Sequence, residues 1–422
     1  MVKGGCHPVK LNTAVLHNPG GRDPATGSPL PPIAQASAFA QPSAEQMEKI
    51  FQNRAPGFAY TRLSNPTISA FEQRIAALEG GMGAAACASG MAAVSMALLN
   101  ILQTGDEFIA TSRLYGGTLT LFHNFENFGI TTRYAARCTA EAIEPLINDK
   151  TRLIFTEVIS NPGLDVADVA ALAALAHQYG LPLIVDSTTA TPVLLRPLKL
   201  GADVVVHSSS KYINGSGDAI SGVIVDGGRF PWDGKRWPVL APFCQMPKMA
   251  YTRRLRQDIW QNFGPCLAPQ NAFLNILGLE TMGLRMEREC QNALALAQAL
   301  KQIPGISAVN YPGLNNSPYH DLVCRQMEGG MGGALLTFRA GSKERAFALI
   351  NHLKYAYIIS NIGDVRTLAV HPHSSIFIHS DEAEKERAGV YDDLIRVSVG
   401  IEDIEDLVED FTQAAAAIRD IE

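Results

Sequence analysis

The chain has no Cys-x-x-Cys pair. Its seven cysteines, Cys6, Cys87, Cys138, Cys244, Cys266, Cys290 and Cys324, are scattered, odd in number and without metal-ligand spacing. That argues against a disulfide framework or zinc ribbon and fits free thiols in a reducing cytoplasm. No apolar run approaches the ~18 residues of a membrane span, and residues 1–8 lack the apolar core of a signal peptide. Neither secretion nor membrane insertion is therefore expected. An excess of one charge sign is missing too: at a net −6 over 422 residues, with both signs interspersed, there is no basic stripe for nucleic acid. The expected partner is a small molecule. Walker loops, HExxH, GxSxG and internal repeats are absent.

What is present is an ordinary soluble composition, 47% hydrophobic and 18% charged, in a chain long enough for two or three domains. Residues 1–59 read as an arm, with Pro24, Pro29, Pro31 and Pro32 in an extended segment and one short amphipathic helix, at 44–52, interrupting it. Ile33, Ala34 and Phe39 suggest that the arm packs on something, such as a neighbouring subunit. Asn65 as N-cap and Pro66 at the first helical position start a helix that Gly80 to Gly83 ends. Gly81-x-Gly83-x-x-Ala86 follows that helix and not a strand, so it is not a dinucleotide fingerprint. Residues 84–88 are strand-like and give way to Ser89-Gly90-Met91 and a helix over 92–102. Strand, small-residue turn and helix suit a phosphate, although a plain N-cap at Ser89 explains the same residues.

Strands then alternate with helical stretches, near 107–110, 131–134, 153–156, 183–185, 204–206 and 222–225. Such βα alternation predicts a mainly parallel sheet covered on both faces, with the site at the strands' C-terminal ends. Polar groups stand there: Glu157 and Asn161, then Asp186-Ser187-Thr188, then the run Ser208-Ser209-Ser210-Lys211. A desolvated lysine has a lowered pKa and condenses with carbonyls as a free amine. The competing reading is a surface turn. Asp186 follows a buried strand and needs a cationic or hydrogen-bonding partner, for which a pyridinium nitrogen and a helix N-cap both serve. Tyr115, just past a strand, could stack on a ring or sit in the core. Beyond residue 230 the alternation stops. Residues 229–250 read as a loop with Trp232, Trp237 and Phe243, followed by a helix over 268–302. Strands at 334–338 and 394–399 with helices at 343–353 and 404–418 make a smaller α+β unit. His371-Pro-His373, without acidic or Cys companions, reads as loop rather than a metal site.

The motifs Tyr60-Thr-Arg62, Ser89-Gly90-Met91, Leu114-Tyr115-Gly116-Gly117-Thr118, Asp186, His207-Ser208-x-Ser210-Lys211-Tyr212 and the segment from Leu394 to Asp403 occur in one order along nearly the whole chain. In this the sequence resembles the pyridoxal-phosphate (PLP) enzymes of the Cys/Met metabolism family. The resemblance implies PLP-dependent transferase fold type I, aspartate-aminotransferase-like: an α/β fold with a mainly parallel sheet covered by helices and a smaller C-terminal α+β domain. It divides the chain into an arm and subunit-contact segment (1–59), a PLP-binding domain (60–265) and a C-terminal domain (266–422).

By the same resemblance Lys211 is the Schiff-base lysine and Asp186 the partner of the pyridine nitrogen. Gly90, Met91, Ser208 and Ser210 hold the phosphate, and Tyr60 and Arg62 close that site from a neighbouring subunit. Tyr115 stacks on the ring and assists the leaving group, Asn161 and Thr188 complete the cofactor shell, and Arg396 with Asn361 and Tyr115 binds the amino-acid substrate. A homo-oligomer follows, a dimer at least and a tetramer by family. Ser210, Ser187 and Ser216 depart from the commonest Thr, Asn and His. Gly117, where methionine γ-lyases carry Cys, and Asn361-Ile-Gly-Asp364 resemble the O-acetylhomoserine sulfhydrylase branch. The expected reaction is γ-replacement on O-acetylhomoserine giving homocysteine or methionine; γ-elimination of the methionine γ-lyase or cystathionine type is the alternative. The sulfur donor stays open between sulfide, a thiol and a sulfur-carrier protein bearing a thiocarboxylate.

Overall fold

Alternate residues of the central strands point to opposite faces, and both faces are apolar. Val205 and Val185 pack on one side of the sheet, while Val204, Val206 and Ile184 pack on the other. A strand buried on both faces is what a helix-covered parallel sheet requires. The computed structural model describes residues 9–17, 23 and 25–418, so Cys6, Pro24 and residues 1–8 lie outside the described residues.

Seven strands build this sheet: β1 (Gly83–Cys87), β2 (Glu107–Thr111), β3 (Thr131–Ala135), β4 (Thr151–Glu157), β5 (Leu183–Asp186), β6 (Val204–His207) and β7 (Gly222–Asp226), in the order β1-β7-β6-β5-β4-β2-β3. Strands β2 to β6 run parallel. Only β7, antiparallel to both β1 and β6, breaks the pattern. The six strands and the apolar run at 84–88 expected from the sequence are thus all strands of one sheet.

Three helices frame its N-terminal part. In α1 (Leu11–Leu16) Val15 is buried, which corrects the expectation of a single helix in the arm. Six residues are too few to form a helix alone, and what holds this one is packing of Leu11, Ala14 and Val15 on the main core. The expected helix follows as α2 (Ala44–Phe51), capped by Ser43. In α3 (Pro66–Glu79) the Asn65 side chain accepts from Thr67 and Ile68 N–H, Pro66 fills the first turn, and Gly80 ends the helix in the left-handed region. The arm packs on this same helix start, because Thr67 Oγ1 donates to Pro32 O at 2.7 Å and Asn65 Nδ2 to Ala34 O at 2.8 Å. Ile33 itself stays exposed.

Residues 229–250 are not an open loop. Trp232 and Trp237 are buried edge to face, with ring centroids 5.3 Å apart, and Trp232 stacks on Tyr251. Aromatic area of that size is worth more buried than solvated, whatever the prolines around it do.

A second sheet is formed by β8 (Ser307–Asn310), β9 (Leu335–Arg339), β10 (Tyr357–Ile358), β11 (Leu368–Val370) and β12 (Leu394–Ser398), in the order β10-β11-β12-β9-β8. The expected strands are β9 and β12. The other three have two to four residues, and β8 and β10 are largely exposed, so no alternation marked them. The 32-residue helix Pro269–Leu300 packs between α3 and the C-terminal helix Ile404–Ala416, linking the two sheets. No helix among the described residues is long and apolar enough to cross a membrane.

On that long helix Glu289 is 0% exposed, and neither carboxyl oxygen has a hydrogen-bond partner among the described residues. Burial pushes its carboxyl up to about 8, with Arg285 pulling the other way. A folded-state value above the unfolded one gives stability that is complete below the ordinary carboxylate range and lost as pH rises toward 8. Glu289→Gln is therefore expected to gain on the wild type by on the order of 3 kcal/mol between pH 5 and pH 8. Denaturant titration of both proteins at the two pH values measures this, and a constant difference would contradict it.

Candidate active site

Between the two sheets lies a cavity of about 400 Å³ whose lining includes Gly90, Met91, Tyr115, Asn161, Asp186, Thr188, Ser208, Ser210, Lys211, Asn361 and Arg396. Eleven of the thirteen residues singled out from the sequence converge here. Tyr60 and Arg62 do not line it: both are exposed, with the Arg62 guanidinium over the Tyr60 ring and Arg62 Nη1 donating to Gln261 O at 2.7 Å.

One wall is the start of helix α4 (Gly90–Leu99). Ser89 is its N-cap and accepts from Ala92 N–H at 3.0 Å, which leaves the Gly90 and Met91 N–H groups of the first turn without an intrahelical partner. Glycine is required at 90, because a Cβ there would lie 2.5 Å from Ser208 Cβ. The helix N-terminus is thereby brought against the end of β6. Ser208 N donates to Thr188 Oγ1 at 2.8 Å, and the Ser208 hydroxyl makes no hydrogen bond among the described residues. Ser210 differs: its hydroxyl donates to Ser221 O at 2.9 Å and accepts from Ser221 N at 2.8 Å.

Strand ends supply the acids. Asp186, last residue of β5, accepts from Thr188 N at 2.8 Å and pairs with no Lys or Arg among the described residues. Burial pushes its carboxyl up, against the Thr188 hydrogen bonds and the nearby His207. Its neighbour in register is Glu157, last residue of β4. Burial and then the Asp186 charge push Glu157 well above the carboxylate range. Between the two, the hydrogen bonds and His207 favour ionisation at Asp186, and the Asp186 charge opposes it at Glu157. His207 faces away into the core, paired with Glu79 of α3 at 2.8 Å. The Ser187 hydroxyl is buried without a partner among the described residues.

Lys211 sits in the turn after β6, and its Nζ donates to Asn361 Oδ1. Burial, reinforced by the positive charge of Arg396, lowers its pKa to about 8. Arg396 comes from β12 and is 2% exposed. It donates to Asn161 Oδ1 at 3.1 Å and Asn361 O at 2.9 Å, while Nε has no partner among the described residues. Burial pushes its guanidinium down to about 10. Tyr115 is the N-cap of helix α5 (Gly116–Phe125) and is 39% exposed.

Sequence reasoning missed Ile376, Ser360 and Thr118 in the lining. Thr118 closes the Leu114-Tyr115-Gly116-Gly117-Thr118 motif but was given no role there, whereas Ile376 and Ser360 carry no motif and only the approach of the second sheet's loops places them at the cavity. His371 and His373 are not in the lining. They bond to Ser374, Asp392 O and Glu382, and no group of three or more His, Cys, Asp or Glu among the described residues could hold a metal.

The model of the Cys/Met metabolism PLP-dependent enzymes matches residues 12–416. The chain belongs to that family. It is 37% identical to the O-acetyl-L-homoserine sulfhydrylase of Leptospira meyeri over 425 residues, 96% of each chain. It is also 37% identical to the homocysteine/cysteine synthase of Saccharomyces cerevisiae, over 96% of this chain and 98% of that one. Among solved structures, an O-acetylhomoserine (thiol)-lyase from Campylobacter jejuni superposes with a TM-score of 0.93 at 33% identity, covering 97% of this chain and all of that one. That crystal structure contains a lysine joined to the cofactor as a pyridoxyl-lysine phosphate. The expected fold type I architecture is the one found.

The cavity of this Cys/Met metabolism enzyme fits PLP on its own evidence. Free helix N–H groups and the unpartnered Ser208 hydroxyl are donors for a phosphate. Asp186 is a half-buried carboxylate that lacks a cation among the described residues, as a protonated ring nitrogen requires. Lys211 offers an amine with a lowered pKa.

Proposed function

We propose that the protein catalyses γ-replacement on O-acetylhomoserine with sulfide, giving homocysteine and acetate. Sulfide sulfur forms the new bond to Cγ, and acetate leaves with the electron pair of the broken C–O bond. Bound in the cavity, PLP supplies an electron sink for negative charge at Cα. The chain's own groups do the rest. Gly90 and Met91 N–H with Ser208 hold the phosphate, and Ser210 adds to them once its hydroxyl turns from Ser221. Asp186, fixed by Thr188, keeps a negative charge against the ring nitrogen, and Asn161 borders the ring. Lys211 Nζ, partly free amine near neutral pH, removes and returns the Cα proton. Tyr115 covers the ring, and Arg396 takes the substrate carboxylate with Asn361 beside it.

The observation that carries the choice of reaction is Gly117. A Cβ there would lie 2.6 Å from Tyr115 Cε1, so the ring occupies the volume that a side chain at 117 would need. The sulfhydrylase and homocysteine synthase relatives support the same branch. The test is to offer O-acetylhomoserine, O-succinylhomoserine, cystathionine and methionine in parallel, with sulfide. Homocysteine from O-acetylhomoserine is expected; splitting of methionine or cystathionine alone would establish the elimination reading instead.

Tyr60 and Arg62 reach the phosphate of a neighbouring subunit in this proposal, making a dimer the minimal active unit and a tetramer its assembly. Their exposure and absence from their own chain's cavity support it. Co-expressing Arg62→Ala and Lys211→Ala chains, each inactive alone, should then restore about a quarter of wild-type activity through mixed dimers with one intact site. No recovery in isolated mixed dimers would refute the shared site. A cytoplasmic location is part of the same reading, supported by described cysteines that are all free thiols.

A further inference from the structure

Glu157 has no part in the chemistry outlined above, yet it lies in the cavity wall at 8% exposure. Its Oε1 accepts the Tyr115 N–H at 2.8 Å. Tyr115 caps α5 without any hydrogen bond from its own side chain, so a carboxyl from a different strand fixes the backbone at this helix start. The backbone N–H of Asn161 bears on the same carboxyl. Asn161 in turn accepts from Arg396 Nη1. One acid at the end of β4 therefore touches two cavity residues from separate loops and, through Asn161, meets a third from the second sheet.

We propose that Glu157 is a positioning residue: its carboxyl group, bonded by the Tyr115 backbone and adjoining Asn161, sets the Tyr115 ring and the Asn161 side chain against the bound cofactor. This rests on the reading that both residues face PLP. Two acids side by side would put excess negative charge at one end of the cavity, and the shift in Glu157 leaves that charge to Asp186. Glu157 then acts as a neutral acid whose carbonyl oxygen is the working acceptor. Glutamine reproduces that acceptor, and alanine removes it. Aspartate keeps an acid but withdraws it from the Tyr115 N–H by one methylene.

The experiment compares wild-type, E157Q, E157A and E157D holoenzymes by the circular dichroism of the cofactor band, the PLP dissociation constant and the split between kcat and KM. E157Q is expected to keep the dichroism and to stay within about three-fold of wild type in kcat. E157A should lose most of the cofactor dichroism, release PLP about ten-fold more readily, and fall at least about ten-fold in kcat with a smaller change in KM. E157D should follow E157A, and it carries the test if E157A does not fold. The proposal is overturned if E157A or E157D keeps the wild-type cofactor signal and kcat, or if E157Q is as impaired as they are. Dichroism and PLP release are read without substrate. A wild type that makes no homocysteine would sink the sulfhydrylase reading and leave this comparison intact.

Discussion

Lys211→Ala is expected to lower homocysteine formation by about 10⁴-fold. The cavity contains no other lysine among the described residues, and no other amine is placed to exchange a proton with Cα. With its pKa at about 8, Lys211 is about one-tenth free amine at pH 7, enough to act as a base and to bond covalently to an aldehyde. The variant should fold normally. Because the folded-state pKa lies below the unfolded one, Lys211 lowers the stability of the cofactor-free protein at neutral pH, and this penalty fades as pH rises from about 8 toward the ordinary lysine range. Alanine has no such dependence, so the cofactor-free variant should melt no lower than the wild type at pH 7. Single-turnover assays and thermal melts at pH 7 and pH 10 measure both effects. Activity within ten-fold of wild type would remove Lys211 from the mechanism.

Arg396→Lys should raise KM for O-acetylhomoserine about 100-fold while changing kcat less. Arg396 is a buried cation that pairs with no carboxylate among the described residues, and burial alone has already cost it part of its affinity for a proton. An uncompensated buried charge persists where a ligand of opposite sign completes it. Two guanidinium nitrogens are held by Asn161 Oδ1 and Asn361 O, which fixes the plane of the group before any substrate arrives. Lysine keeps the charge and loses that plane, so it cannot bind a carboxylate through two parallel hydrogen bonds. A substrate analogue without the α-carboxylate should be handled equally by wild type and variant. If the variant raises KM for both alike, Arg396 does not bind the carboxylate.

Much of this site was legible because its residues stand where regular elements end. Strands β4, β5 and β6 are apolar runs closed by Glu157, Asp186 and the Ser-Lys cluster, and in parallel strands such endings share one edge of the sheet. Likewise Asn65-Pro66 and Ser89-Gly90 marked helix starts through capping chemistry that acts within four residues. Local rules of this kind need only the order of side chains.

What stayed hidden depends on contacts between distant segments. Helix α1 and strands β8, β10 and β11 are too short to show a periodicity, and they exist because a neighbour supplies the packing or the hydrogen bonds. The burial of Trp232 and Trp237 required Tyr251 to come against Trp232. The sequence by itself determined the layered α/β class and the edge of the sheet where polar groups gather, while its local rules left a surface turn open for Lys211 and a helix N-cap open for Asp186. Only the tertiary structure decided that Glu157 lies beside Asp186 and grips Tyr115, that Asn361 meets Lys211, and that Arg396 faces the cavity without a counter-ion. Those relations join residues 29 to 150 positions apart, and depth, exposure and charge balance arise when such segments are packed together out of water.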